Sequence, residues 1–142
     1  MATQQFRFGT AINCIDGRTQ EPIIGYLKSN HGVEGVDMVT FPGADAVFSG
    51  TSGRLAELEL ARRAVSISVE RHGSDIIAVA GHHDCAGNPG GREHHYLHIA
   101  NAVRVVSSWG FPAKVVGLYV NDRWQVERVM HNGGGMASSM TG

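Results

Sequence analysis

Apolar residues recur along the chain in two patterns: short runs rich in valine and isoleucine, and longer stretches with spacings of three and four residues. The short runs are typical of buried strands, and the longer spacing is typical of amphipathic helices. The predicted strands are residues 6–16, 36–42, 75–81, 113–120 and, at an edge, 124–130. The predicted helices are residues 22–30, 51–74 and 93–109. Because strand and helix alternate, we predict a three-layer αβα fold with a mostly parallel central sheet of four to five strands.

The clearest helical pattern, over residues 51–74, also predicts which side of the helix faces the core. Five residues fall at helical spacing, Leu55, Leu58, Arg62, Val65 and Val69, and Leu60, Ala64 and Ile67 widen the stripe. Side chains at this spacing share one helical face. We therefore expect that face to pack on the sheet, with Gly73 as the stop after the helix.

Composition narrows the class of protein. The 142 residues include 12 lysines and arginines against 13 acidic residues, which gives a formal charge of −1 and argues against a nucleic-acid partner. No apolar stretch approaches the roughly 20 residues that span a bilayer, and no signal peptide is recognisable, so no membrane partner is expected. Two cysteines do not make a disulfide framework, which favours a reducing, cytoplasmic setting.

The chain length is typical of one domain. We predict a single domain over residues 1–132, because no repeat or linker interrupts the pattern. The small, polar residues 133–142 are expected to form a flexible tail.

Two of the predicted strands end in polar clusters that contain both cysteines of the chain. The first cluster follows the first strand as "NCIDGR", and the second follows the third strand as "GHHDC". Sites in open parallel sheets form at the carboxyl ends of the strands. If the two strands are neighbours, both clusters face one crevice, and this convergence is the main chemical signal of the sequence.

The residue types in these clusters suit zinc. Thiolate and neutral imidazole are good zinc ligands, and Cys14, His82 and Cys85 make a Cys₂His set with a fourth position left for water. Asp16 could take that fourth position itself, or accept a hydrogen bond from a bound hydroxide. Arg18 could pair with Asp16 and keep its carboxylate ionised.

Two other interpretations of the second cluster fit less well. A phosphate-binding nucleophile loop has five residues between cysteine and arginine, whereas six separate Cys85 from Arg92, and Pro89 removes a backbone donor. A disulfide between Cys14 and Cys85 is conceivable but is not expected in a reducing compartment.

A group of histidines follows the second cluster. His94 and His98 are four residues apart on one helical face, a spacing that can bind a metal with help from Glu93 or His95. The simpler interpretation, which we prefer, is a polar helix face near the mouth of the site, in which one histidine could shuttle protons. His83 and Asp84 are expected to be turn residues or neighbours of the ligands.

The sequence "CIDGR", followed much later by "GHHDC", resembles the β-class carbonic anhydrase family, with its Cys-x-Asp-x-Arg and Gly-His-x-x-Cys motifs. The resemblance spans about residues 6–129. It implies Zn²⁺ held by Cys14, His82 and Cys85, with Asp16 and Arg18 as the catalytic pair. It also implies reversible hydration of CO₂ to bicarbonate by zinc-bound hydroxide, in a homodimer or higher homo-oligomer.

The chain departs from the family pattern around the pocket. It has "FPGADAV" where the family has an Arg-Asn-Ala-Gly-Asn loop, and Ala86 where glycine usually follows the second cysteine. Two alternatives therefore stay open. One is a zinc hydrolase acting on COS or CS₂, and the other is a non-catalytic zinc-binding protein in which Asp16 closes the site.

Overall fold

The computed structural model describes residues 6–49 and 54–131, in which strands and helices alternate as far as the fourth strand and the fifth strand then follows the fourth directly. The strands are β1 Phe8–Asn13, β2 Gly35–Thr40, β3 Ile76–His82, β4 Lys114–Val120 and β5 Val126–His131. The helices are α1 Gln20–His31, α2 Leu55–Glu70 and α3 Arg92–Ser108, with a 3₁₀ helix at Ala44–Phe48. The predicted tail, residues 133–142, lies outside the described residues. Within the described ranges, no helix is both long and apolar enough to cross a membrane.

The strands form one sheet in the order β2-β1-β3-β4-β5. The first four of these are parallel, and β5 runs antiparallel to β4. The prediction of a mostly parallel sheet of four to five strands is confirmed. From β1 the chain connects to β2 on one side of the sheet, and from β3 it connects to β4 on the other side. The crevice beyond the carboxyl ends of β1 and β3 is therefore the expected place for a site.

Helices cover both faces of the sheet, which confirms the three-layer prediction. On one face, α1 buries Ile23 and Leu27 against the sheet. On the other face, α2 and α3 pack with the 3₁₀ helix. Successive residues of a strand point to opposite faces, so β3 sends Ile77 toward α2 and α3 and Ala78 toward α1.

The largest correction concerns the apolar stripe of α2. Leu55, Leu60 and Ile67 are 66%, 57% and 47% exposed, although the spacing predicted that they face the core. The residues of α2 that are buried are Ala61, Val65, Ser68 and Val69. Ser68 is part of the contact face because its hydroxyl bonds to Thr10 and Asp37.

Two loop segments also differ from prediction. β1 ends at Asn13, three residues earlier than predicted, because the chain turns after it and Thr19 N–H donates to the Asp16 carbonyl at 3.1 Å. The 3₁₀ helix at Ala44–Phe48 was not predicted. It begins directly after Gly43, whose φ of 58° reverses the chain beyond β2.

A polar network joins β5 to α3 at the edge of the sheet. Glu127 accepts hydrogen bonds from Tyr96 at 2.8 Å and Asn121 at 2.9 Å, and it also pairs with Arg92. Burial alone would raise the pKa of Glu127, but the hydrogen bonds from Arg92, Asn121 and Tyr96 outweigh it and hold the pKa at about 2.

Replacing Glu127 by glutamine should make the protein less stable near neutral pH. A carboxyl whose folded pKa is depressed stabilises the fold above its unfolded pKa, and this stabilisation is lost as pH falls through the folded value. We expect Glu127→Gln to lower the free energy of unfolding at pH 7 by roughly 1–2 kcal/mol. This is less than the full pKa shift would give, because the partner Arg92 is half-exposed and its charge is screened by water. Urea unfolding should show this difference shrinking as pH falls from 4.5 toward about 2. The control is Glu59→Gln, which removes the same charge at an exposed position of α2 and should leave the free energy of unfolding at pH 7 within about 0.5 kcal/mol of the wild type.

Candidate metal centre

Cys14, His82 and Cys85 meet at the carboxyl ends of two neighbouring strands. β1 and β3 pair in parallel; Cys14 directly follows β1, and His82 is the last residue of β3. Cys85 lies three residues farther on, in the loop that leads to α3. All three residues are buried, and their ligand atoms lie within 4.8 Å of one another. The structure thus brings together the three residues that the sequence predicted as metal ligands.

The distances and hydrogen bonds of these residues fit a zinc ion. Zinc–sulfur bonds of about 2.3 Å at a tetrahedral angle place two sulfurs about 3.8 Å apart, and the Sγ atoms of Cys14 and Cys85 are 3.9 Å apart. His82 Nδ1 lies 2.7 Å from the carbonyl oxygen of His83, which can only accept, so Nδ1 carries the proton. His82 Nε2 is therefore a free lone pair, buried without a hydrogen-bond partner.

The two cysteines are free thiols that interact with each other. Their 3.9 Å separation is far from the length of a disulfide bond. The hydrogen bond from the Cys85 thiol lowers the pKa of Cys14 well below its usual range, and the same interaction raises the pKa of Cys85. Gly43 N–H also donates to the Cys14 sulfur at 3.4 Å. Thiolate character at this position favours a soft metal ion.

Asp16 and Arg18 form a bidentate pair beside the three ligands. The guanidinium donates to both carboxylate oxygens, at 2.7 Å and 3.0 Å, and the Arg18 backbone N–H donates at 2.9 Å. These hydrogen bonds hold the pKa of Asp16 at about 2. Asp16 Oδ2 lies 3.9 Å from His82 Nε2, so the ionised carboxylate faces the ligand cluster while it is bound to Arg18.

Arg18 is held from two further sides. It donates to the Asp84 carboxylate at 3.3 Å and to the Asp84 carbonyl at 3.2 Å. Its guanidinium also lies over the ring of Trp124, 4.4 Å from the centroid. Among the described residues, Asp84 and Trp124 are the non-glycine residues with positive φ, each 58°. Both strained residues therefore contact the arginine of the pair.

The histidines of α3 do not join the three ligands. His94 and His98 have ring centroids 4.4 Å apart, and both bond to the side chain of Asn88. His95 is fully buried and bonds to Asp45. Among the described residues, Cys14, His82 and Cys85 form the one group of three metal-binding side chains close enough to share an ion.

The phosphate-cradle interpretation has no support in the structure. Arg92 does not face Cys85; its guanidinium pairs with Glu127 and lies over the rings of Tyr96 and Tyr119. An arginine held in this way cannot also line a loop around the cysteine.

Sequence reasoning missed three residues around the site. It gave no role to Trp124, Asp45 or Asn88. The one available signal was an isolated polar residue, Asp45 or Asn88, in each of the loops "FPGADAV" and "CAGNPGG" that follow β2 and β3. Nothing in the sequence indicated that these loops contact each other.

Comparison with known proteins agrees with the motifs. Residues 4–130 match the family described as "Putative carbonic anhydrase". No protein of curated function matches significantly.

Solved structures of β-class enzymes share the fold. A β-carbonic anhydrase isoform from Trichomonas vaginalis has a TM-score of 0.58 and 16% identity, covering 92% of this chain and 88% of its own. A carbonic anhydrase from Streptococcus mutans has a TM-score of 0.58 and 13% identity, with coverages of 91% and 87%. Tetrameric β-carbonic anhydrases from Sordaria macrospora have a TM-score of 0.58 and 14% identity, covering 92% of this chain and 83% of their own.

At these identities the structural matches show the fold, and the family match over nearly the whole described chain shows the relationship. The chain therefore belongs to this carbonic anhydrase family and has the α/β fold of the β class.

Proposed function

We propose that the chain is a zinc-dependent lyase that catalyses the reversible hydration of CO₂ to bicarbonate. The observation that carries the proposal is the meeting of Cys14, His82 and Cys85 within 4.8 Å, beside the Asp16–Arg18 pair. Membership of a carbonic anhydrase family supports it. Zinc, when bound by three protein ligands, supplies a Lewis acid that lowers the pKa of a water in the fourth position to about 7.

The chain's own residues would hold and orient the reactants. The hydrogen bond from His82 Nδ1 to the His83 carbonyl fixes the imidazole with Nε2 toward the metal position. Gly43 N–H fixes the direction of the Cys14 sulfur.

Asp16 would orient the attacking oxygen. An ionised carboxylate can only accept hydrogen bonds, so Asp16 would accept a hydrogen bond from the O–H of the attacking oxygen and leave a lone pair of that oxygen directed at the carbon. Arg18 would keep the carboxylate in place through its two donors. In this role Asp16 acts next to the metal and is not its fourth ligand.

Stopped-flow measurement of CO₂ hydration tests the function. Zinc-loaded protein should accelerate hydration above the uncatalysed rate, and the acceleration should disappear when a chelator removes the metal. Zinc-loaded protein with no activity on CO₂ would contradict the proposal. Sulfide release from COS or CS₂ would then assign a hydrolase, and one bound zinc without turnover of any of these would assign a non-catalytic zinc-binding protein.

We also propose that the protein forms a homodimer or a higher homo-oligomer. The tetrameric enzymes from Sordaria macrospora share its fold. Several large apolar side chains are exposed on the helices: Leu55, Leu60, Ile67 and Leu97. Contact with a second copy would remove that apolar surface from water. Sedimentation equilibrium should give at least twice the 15.2 kDa of one chain, and a monomer at micromolar concentration would contradict the proposal.

The cytoplasmic location is part of the same proposal. Both cysteines are free, and a reducing compartment maintains thiols in that state. Fractionation of cells that produce the protein would test this, and recovery only from an oxidising compartment would contradict it.

A further inference from the structure

A buried polar cluster lies beside the three candidate ligands and has no part in the proposed chemistry. We call it the Asp45 cluster; its members are Asp45, Asn88, His94, His95 and His98. Asp45 and His95 are 1% and 0% exposed. Taking a carboxylate and an imidazole out of water is costly, and a buried pair of this kind is a poor source of stability. The burial of this pair therefore needs another explanation.

The hydrogen bonds of the cluster fix the side chain of Asn88 in one orientation. Its amide nitrogen donates to Asp45 at 2.9 Å and to His98 Nδ1 at 3.0 Å. Its carbonyl oxygen accepts from His94 Nε2 at 2.6 Å. Asp45 also accepts from His95 Nδ1 at 2.7 Å. Because Asn88 uses both amide hydrogens and its oxygen, a shift of its loop would break the buried bond to Asp45 and the two part-buried bonds to the histidines.

One side of the cluster controls a donor to Cys14. Asp45 is the second residue of the 3₁₀ helix that begins directly after Gly43. Gly43 N–H donates to the Cys14 sulfur, and the Gly43 carbonyl accepts from Ala46 at 3.0 Å. Holding Asp45 in place therefore holds the Gly43 N–H toward the sulfur.

The opposite side of the cluster holds the loop that carries Cys85. Asn88 lies three residues after Cys85, in the loop between β3 and α3. The two loops are in direct backbone contact, because a methyl group added at Gly43 would lie 2.5 Å from the carbonyl carbon of Gly87. The side-chain bond from Asn88 to Asp45 thus joins the loop whose Gly43 N–H donates to the Cys14 sulfur with the loop that carries Cys85.

The cluster also packs against the strand that carries the histidine ligand. Gly81 directly precedes His82 in β3, and a methyl group there would lie 2.5 Å from Asp45 Oδ2 and 3.1 Å from His95 Nδ1. Glycine at this position is what lets the Asp45–His95 pair contact the strand. The cluster is therefore adjacent to the backbone around all three candidate ligands.

We propose that Asn88 and Asp45 are positioning residues for the metal site, and that their hydrogen bond holds in register the loop that donates to the Cys14 sulfur and the loop that carries Cys85. This inference rests on the proposed zinc site. The joined loops would direct the two thiolates toward one point, so breaking the bond between the loops would weaken metal binding more than it weakens the fold.

The variant Asn88→Ala tests the inference. It removes the side-chain bonds to Asp45 and the histidines but leaves the three candidate metal ligands in place. Zinc affinity, measured by competition with a chromophoric chelator, should fall by roughly 10- to 100-fold, the usual effect of losing a residue that orients metal ligands. The sulfur-to-metal charge-transfer band of the Co²⁺-loaded variant should also shift, because the direction of the thiolates changes.

A matched control separates positioning from general stability. Ser68→Ala also removes buried hydrogen bonds on the same face of the sheet, to Thr10 and Asp37, away from the ligands. It should lower the thermal midpoint but keep zinc affinity within roughly twofold of the wild type, as expected for distant sites. If Asn88→Ala has the affinity and cobalt spectrum of the wild type, whatever its thermal midpoint, the inference is wrong. If the wild type itself binds no zinc, the proposed function fails as well.

Discussion

Replacing Cys85 by serine is expected to remove the metal from the protein and to reduce CO₂ hydration to the uncatalysed rate. A serine hydroxyl stays protonated at neutral pH and is a hard donor, whereas the thiolate is the form of cysteine that binds zinc. The two remaining ligands, Cys14 and His82, would leave the ion without a three-ligand site. Elemental analysis should give about one zinc per chain for the wild type, the occupancy of a single site, and none for the variant.

Thermal unfolding provides a second measurement of metal loss in Cys85→Ser. A ligand that binds the folded chain alone stabilises it, by about 4 kcal/mol at a thousand times its dissociation constant. The midpoint of the wild type should therefore rise with added zinc, and that of Cys85→Ser should not. Ala86→Ser, at the exposed neighbouring position, is the control and should behave as the wild type. Full metal retention in Cys85→Ser would show that the site lies elsewhere.

The sheet could be predicted because the apolar runs carry enough information about burial. The sequence "IIAVAG" is apolar at every position, as the central strand β3 requires, since both of its faces are covered. The end of β1 was predicted too late because Ile15 continues the apolar run, yet it is 59% exposed in the turn beside the site. The pattern alone cannot distinguish a single apolar residue that lies in a turn from one that lies in a strand.

The face of α2 shows a different limit of the sequence pattern. Helical spacing predicted a wide stripe that includes Leu60 and Ile67, but those side chains point away from the sheet. Ser68, directly after Ile67, is buried instead, and its hydroxyl pairs with Thr10 of β1. Which side of an apolar helix faces the core depends on the strands and helices that pack against it. The spacing of residues within the helix carries no information about those neighbours.

Part of the candidate site could also be predicted from the sequence, and part could not. Cys14 and His82 could be assigned to one crevice because parallel neighbouring strands end at the same edge of the sheet. Asp45 and Asn88 could not, because they become neighbours only when two loops 43 residues apart pack together. Trp124 was also beyond prediction, since its contact with Arg18 depends on a backbone conformation that tryptophan rarely adopts.

Replacing Asp16 by asparagine should reduce the rate of CO₂ hydration by about 100-fold or more, the usual size of a lost proton-accepting contact, while the metal is retained. Asparagine has nearly the same shape, but its amide group would place a donor against the donors of Arg18. The carboxylate that orients the attacking oxygen would be lost, and the three metal ligands would be unchanged. Stopped-flow measurement of CO₂ hydration gives the loss of rate, and elemental analysis of the same preparation gives the retained zinc.

Asp84→Asn is the matched control for this change, because it removes the same charge from the same partner. The Asp84 side chain is 71% exposed, and an ion pair at such a position contributes little, up to about 1 kcal/mol. Its rate should therefore stay within roughly fivefold of the wild type. If Asp16→Asn lost zinc while Asp84→Asn kept it, Asp16 would be a fourth ligand that closes the site. Retention of zinc with loss of turnover would instead show that the carboxylate acts on the substrate side of the metal, because Asp16 would then be needed for the reaction and not for metal binding.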